Sequence, residues 1–296
     1  MGWSSLDDLI NEITTNGKFN RQDWNKLTGA AAYTAGRWYD LSSLGGYPVA
    51  NSFPGTNLTW KTCDESTGNG TDIFGIPHGG NVSSDTKHIL NVMAVTGVAT
   101  GVPSVLMLVD MQGYWPGINM NLNTSQTLLG GPPSLRYTDG AGCRLFLVAR
   151  ATTGATAHTL SISYTNTAGT SGRTLPVTVA CTASAIVPHI VHSGTSANNY
   201  GPFLPLASGD TGVKDVASVQ LSAASGTAST AALCLVKPLL TLPLTTVSVA
   251  AERDLLNQLP SLPQVKDGAC LCWLLFTGAA VAANTNFYGG IEMGWG

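Results

Sequence analysis

The chain has 296 residues, with 14 Lys and Arg against 17 Asp and Glu, and only 10% of it is charged, where an ordinary globular domain carries about 25%. Apolar content is ordinary at 44%, so Gly, Ala, Thr, Ser and Asn stand where charge is missing, which excludes a charge-driven disordered chain. The net charge of −3 equally excludes a nucleic-acid binder that works through a broad basic surface.

Residues 1–36 hold about a quarter of all the charge and read as a helical N-terminal arm. Ser5 followed by Asp8 resembles a capping box, Leu6, Leu9, Ile10 and Ile13 recur at helical spacing, and Gly17 closes the helix. A second short helix is expected from Asn20 or Arg21 to Leu27, with Phe19, Trp24 and Leu27 as its apolar residues. The pair is too poor in apolar residues to be a domain, so it caps the main body or docks on a partner. The opening residues are acidic and lack a continuous apolar stretch, so no secretory signal is expected, and Leu6 stands where myristoylation would need Ser or Thr.

From residue 37 to 296 short β-branched and Leu-rich runs alternate with Gly, Pro, Asn and Ser, the pattern of an antiparallel β-sandwich, jelly-roll-like in its spacing. Strands are expected at Asn57–Thr62, His88–Val95, Ser104–Val109, Leu145–Ala151, Thr159–Thr165, Thr174–Ala180, Ala185–His192, Ser218–Ala223, Ala231–Val236, Thr245–Ala250 and Ala269–Phe276. Long connections fall at 47–53, 74–84 and 112–133, and a boundary near 131–138 would divide the body if it is two packed sandwiches. Asp139-Gly140 and Asp267-Gly268 each feed an apolar run, which reads as shared strand-entry chemistry and permits two related sheets. The long uncharged stretches Ile89–Val109 and Val216–Val236 are broken by Gly, Pro, Thr or Ser, so no membrane span is expected.

No reactive constellation is apparent. Gly169-Thr170-Ser171-Gly172 and Gly194-Thr195-Ser196-Ala197 lack the second glycine of a nucleophile elbow, and Gly68-Asn69-Gly70 lacks the last glycine of a dinucleotide loop. His189 and His192 lie three apart, a spacing that diverges on the expected strand, and Cys270 with Cys272 would need a second ligand pair to hold a metal. Asp64, Glu65 and Asp72 lack the pattern of a calcium loop. No catalytic, metal or cofactor residue is therefore named. The docking candidates are Leu6, Leu9, Ile10, Ile13 and Trp24 in the arm, with Tyr114 and Trp115 on the 112–133 connection, where two rings suit a neighbouring subunit or a sugar face.

A near-neutral β-body with a charged arm suits close subunit contacts, since little charge must be desolvated on assembly. The strings Gly2-Trp3-Ser4-Ser5-Leu6-Asp7-Asp8-Leu9-Ile10, Asp23-Trp24-Asn25-Lys26-Leu27-Thr28-Gly29 and Gly36-Arg37-Trp38-Tyr39-Asp40-Leu41 resemble virion structural proteins of tailed bacteriophages. So do Phe74-Gly75-Ile76-Pro77-His78-Gly79-Gly80 and the run from Ala250 to Pro263. The resemblance implies a non-enzymatic head decoration or cement protein on the virion surface, assembled in the host cytoplasm, with the major capsid protein and copies of itself, as a homotrimer, for partners. It implies no catalytic residue. A tail fibre or receptor-binding protein that takes host glycan is the first alternative, and a β-scaffold glycan hydrolase the second.

Overall fold

The computed structural model describes residues 3–65, 75–194, 201–258 and 262–296. The expected Gly68-Asn69-Gly70 loop, Asp72 and Thr195–Asn198 lie outside them. In chain order the elements are α1 (Leu6–Thr14), β1 (Phe19–Leu27), β2 (Arg37–Asp40), β3 (Gly46–Tyr47), β4 (Lys61–Thr62), β5 (Lys87–Thr96), β6 (Ser104–Asn119), β7 (Gln126–Thr127), β8 (Arg144–Ala149), β9 (His158–Asn166), β10 (Arg173–Thr174) and β11 (Val179–Cys181). They continue with β12 (Val213–Leu221), β13 (Thr230–Leu244), β14 (Ala251–Asp254), α2 (Leu255–Gln258), β15 (Gln264–Val265), β16 (Leu271–Thr277) and β17 (Asn286–Trp295). The protein is mainly β, with a short N-terminal helix and a sandwich body of antiparallel sheets.

Among the described residues, three sheets make the body. A terminal sheet runs β14-β5-β17-β1-β3 with β15 also on β5; a central sheet runs β2-β16-β6-β13-β8 with β4 also on β6; a third runs β10-β9-β12-β7 with β11 also on β9. Successive strand residues point to opposite faces, and this decides which core each one fills. On β16, Leu271, Trp273 and Leu275 meet Trp24, Ile89, Val92, Phe287 and Ile291 of the terminal sheet. The alternate residues Cys270, Cys272 and Leu274 join Phe146, Val148, Cys234 and, from connecting segments, Phe53 and Ile190. On β8, Leu145, Leu147 and Ala149 meet Leu160, Ile162, Val216 and Val219 of the third sheet. The terminal and third sheets thus cover different stretches of one face of the central sheet. Each large side chain buried there contributes about 1.5–3 kcal/mol by leaving water.

Strands β6 and β13 join the two cores. They pair along nearly their whole length, giving Leu106, Leu108, Leu240 and Leu242 to the first core and Trp115, Ile118, Leu233 and Leu235 to the third-sheet core. Their register slips between Leu235 and Val236 and between Pro238 and Leu240, and such bulges re-aim side chains and bend strands. The central sheet therefore draws strands from both sides of the 131–138 segment.

Several elements differ from expectation. Residues 19–27 are not a helix but strand β1, paired with β17 along its length from Phe19↔Gly294 to Leu27↔Asn286. Its apolar residues are too few for a helical stripe, whereas its period of two buries Trp24 and Lys26 and leaves Arg21, Asp23 and Asn25 outward. Of the described residues 3–36, only α1 is an α-helix. The expected strand Ala185–His192 reduces to isolated bridges at His189 and Ile190, because Pro188 interrupts the run. Pro176 splits Thr174–Ala180 into β10 and β11, Asn57–Thr62 shrinks to β4, and the Thr245–Ala250 segment precedes β14 as a turn with Ser248 at φ 58°. No helix among the described residues is long and apolar enough to cross a membrane.

Candidate functional site

The N-terminal helix forms for the reasons its sequence suggested. Ser5 Oγ accepts from the Asp8 backbone N–H at 3.1 Å, satisfying a free donor of the first turn, and Asp8 turns its carboxylate back to the Ser4 N–H at 3.1 Å, which fixes the chain entering the helix. Gly17, at φ 64°, ends the segment, and Lys18 Nζ bridges Glu12 and Asp85 at 2.9 Å each. The apolar stripe is divided. Leu9 is buried and Ile13 half-buried where α1 packs against β17, with the Trp3 ring 5.3 Å from that of His88. Leu6 and Ile10, one turn apart, are 64% and 49% exposed.

The other docking candidates lie inside. Trp24 is buried with its ring 5.2 Å from that of Trp273. Tyr114 and Trp115 are not on a connection, because β6 continues through them to Asn119. Tyr114 meets Phe53 edge-on at 4.9 Å and Trp115 meets Trp60 at 4.5 Å, on opposite sides of the strand. Gly113 is what lets β4 lie close: a Cβ there would stand 2.3 Å from the Lys61 carbonyl oxygen.

Three polar groups inside have the composition of reactive sites, and in each the geometry is structural. Ser193 Oγ lies 3.2 Å from His189 Nε2, but both residues are fully buried and the hydroxyl donates to the Ile190 carbonyl at 2.8 Å. Burial, with Arg37 adding to it, pushes the His189 imidazole down to about 3, so it is neutral. His78 Nε2 sits 2.5 Å from Glu65 Oε2, while Lys87 Nζ approaches His78 Nδ1 at 3.2 Å and donates to the carbonyls of His78 and Gly80, using all three ammonium donors. Asp110 accepts from Arg136 Nε at 3.1 Å and Nη2 at 2.6 Å, and from the Cys270 N–H at 2.9 Å. Burial alone would lower the Arg136 pKa; the Asp110 charge outweighs it and holds the guanidinium above its ordinary value. The six cysteines are free and buried, and Cys270 Sγ and Cys272 Sγ are 4.0 Å apart. Among the described residues no group of His, Cys, Asp or Glu can hold a metal ion.

What reaches solvent is quieter chemistry. The outer side of the third sheet presents Ser161, Ser163 and Thr165 from β9, Ser218 and Gln220 from β12, Thr127 from β7 and Thr174 from β10. Ser163 pairs with both Ser218 and Thr174, and Ser218 with Thr127, so these hydroxyls form one continuous cross-strand row, while Ser161 faces Gln220 and Thr165 faces Asp215. Lys214 and Asp215 lie at one end of β12 and Arg173 begins β10. A hollow of about 610 Å³ lies between Tyr137, Lys237 and Lys266, with Arg136 at its wall. A second, of about 540 Å³, lies over β1 and β17 between Tyr47 and Tyr288. Neither tyrosine was singled out from sequence.

No family model matches the chain, and no curated protein matches it. Among solved structures it is similar to a point mutant of the VP2 protein of infectious bursal disease virus in derived T=1 particles. The match covers 97% of this chain and 83% of that one at 7% identity, with a TM-score of 0.18, a likeness that carries no argument about fold or function.

Proposed function

We propose that this chain is a non-enzymatic virion structural protein, a head decoration or cement protein that braces contacts between capsid subunits. The observation that carries the reading is the outer side of the third sheet, where Thr127, Ser161, Ser163, Thr174, Ser218 and Gln220 stand together and charge enters only at the end of the face, at Asp215 opposite Thr165. Such a face is desolvated cheaply when another subunit covers it, because little charge has to leave water and hydroxyls re-pair readily across an interface. The sequence resemblance to tailed-phage virion proteins points the same way. In this reading the third sheet packs on copies of the same chain, as a trimer, and Leu6 and Ile10 on α1 meet the major capsid protein.

The first rival reading loses the residues it rested on. A receptor-binding role drew on Tyr114 and Trp115, whose rings are buried. A glycan hydrolase needs paired carboxylates in a cleft; the hollow over β1 and β17 has Asp23 as its single lining acid, the hollow beside Lys237 has none, and in a smaller hollow of about 290 Å³ that Asp85 and Asp267 both line, Asp85 is paired with Lys18 and Asp267 accepts from the Val82 N–H.

The test is sedimentation of the purified chain and of the double variant Ser163→Lys/Ser218→Lys, which places two like charges opposite one another on the neutral face. The wild type is expected to sediment as an oligomer and the variant, with an unchanged circular dichroism spectrum, as a monomer. A monomeric wild type, or a variant that assembles as well as the wild type, contradicts the proposed self-contact. Leu6→Ser/Ile10→Ser is expected to leave the oligomer intact and abolish binding to capsid shells; undiminished binding removes α1 from the capsid contact.

A further inference from the structure

The outer side of the terminal sheet is built differently from the third sheet. Strands β1 and β17 set three cross-strand pairs side by side on it: Arg21 with Glu292, Asp23 with Gly290, and Asn25 with Tyr288. The neighbouring strand β5 adds Met93 opposite Gly290, and β3 adds Tyr47 opposite Asn25. With no side chain at Gly290, the Asp23 carboxylate and the Arg21 guanidinium lie over the middle row: a Cβ there would stand 3.0 Å from Asp23 Oδ1 and 3.5 Å from Arg21 Nη2. The hollow of about 540 Å³ lies beside them, between Tyr47, Met93 and Tyr288, within the range of small-molecule sites.

Its walls have two kinds of group. Tyr47 and Tyr288, 49% and 43% exposed, are large rings left in water on a strand face that gives them no apolar cover. Arg21, Asp23, Asn25 and Asn286 supply planar donors and acceptors around them. The lining holds one cation and one acid, with Arg21 Nε 3.2 Å from Asp23 Oδ1, and Glu292, outside the lining, holds Arg21 Nη1 from behind at 3.2 Å. Asn25 is oriented by accepting from the Tyr47 N–H at 2.7 Å, which ties one wall to the floor. Aromatic faces for C–H surfaces, flat amide and carboxylate groups for vicinal hydroxyls, and no net charge are together the requirements of a neutral sugar ring.

We propose that this hollow is a binding site for a neutral saccharide, a hexose or N-acetylhexosamine unit, with the ring set against Tyr288 or Tyr47 and its hydroxyls held by Asp23, Asn25 and Asn286. The site is independent of the proposed place in the virion and of the third-sheet contact. An anionic sugar is disfavoured here because Arg21 is already shared between two carboxylates.

The experiment is saturation-transfer difference NMR on the full chain with four probes: maltotriose, lactose, N,N′-diacetylchitobiose and sialyllactose. Transfer to the ring protons of at least one neutral probe is expected, with millimolar affinity. Tyr288→Ala and Asp23→Ala are each expected to weaken that binding about tenfold or more, the equivalent of one lost stacking or hydrogen-bonding group. Lys214→Ala on the third sheet is expected to leave it unchanged, and Tyr288→Phe is expected to retain it. Transfer to none of the neutral probes, transfer only to sialyllactose, or wild-type affinity in both alanine variants while their circular dichroism is native would overturn the proposal.

Discussion

Two pairs of aromatic residues sit in this chain with opposite fates. Tyr114 and Trp115 follow a glycine and precede a proline, the local chemistry of an exposed turn, yet they are carried inside by a strand that runs on past them. Tyr47 and Tyr288 are separated by most of the sequence and are brought to one outer face by the pairing of β3 and β17 with β1. The difference teaches that exposure of a ring in a β-protein belongs to the register of its strand. Neighbouring residues report on turns, while the face a residue occupies is decided by partners far away in sequence.

The largest effect separating these two pairs is expected from Trp115→Ala. Its ring fills the core beneath the third sheet against Trp60, so chemical denaturation should show a loss of about 3–5 kcal/mol, as for other fully buried aromatic truncations. A loss below ~1 kcal/mol would place the ring outside the core.

Asp110→Ala comes next. It strands Arg136, which donates to both carboxylate oxygens and to the carbonyls of Cys63 and Met111. Removing one partner of a buried pair costs about 3–5 kcal/mol, and the double change Asp110→Ala/Arg136→Met should recover much of it. The double variant being no more stable than the single one would show that the pair does not act as a unit.

His189 gives a pH signature. Its folded pKa is about 3 and its unfolded value 6.5, so between these the unfolded chain binds a proton that the folded chain does not. Stability from this group is therefore full above pH 6.5 and falls as the solution is acidified toward 3, by up to ~1.4 kcal/mol per pH unit. Urea titrations at pH 6 and pH 4 should show His189→Asn losing less stability on acidification than the wild type; equal losses would contradict a neutral buried imidazole.

The smallest stability effect is expected at the exposed pair. Tyr288→Ala should change unfolding free energy by no more than about 0.5 kcal/mol, as surface substitutions do, and should act only on sugar binding. A loss comparable to that of Trp115→Ala would mean that Tyr288 is a packing residue.

The sequence made some elements legible for a clear reason. Strands β5, β8, β9 and β16 bury one or both faces, and their apolar runs announce it. The turns before β8 and β16 also behaved as their Asp-Gly pairs suggested, with Gly140 at φ 73° and Gly268 at φ 70°, although both strands belong to one sheet. Strand β17 was missed because Gly289, Gly290 and Gly294 dilute its pattern. Gly289 is nonetheless demanded by close approach, since a Cβ there would lie 2.0 Å from the Met93 carbonyl oxygen. Strand β13 was expected to stop at Val236, before Pro238. It continues because its pairing with β8 ends at Val236, so the proline falls at a bulge where β13 has β6 as its sheet neighbour. Of the candidate site, the capped helix and its Leu6, Leu9, Ile10, Ile13 stripe were readable from local spacing. The hydroxyl face and the tyrosine hollow were not, because both are assembled from strands that meet only in the folded chain.

The proposed placement of this protein in a virion is tested most directly by quantitative peptide mass spectrometry of purified virus particles from the virus that encodes it. A head decoration protein repeats with the symmetry of the shell, so the account predicts a copy number on the order of hundreds. Absence from the particles, or a count of about a dozen or fewer as closed symmetry would give at a tail or fibre, would contradict it.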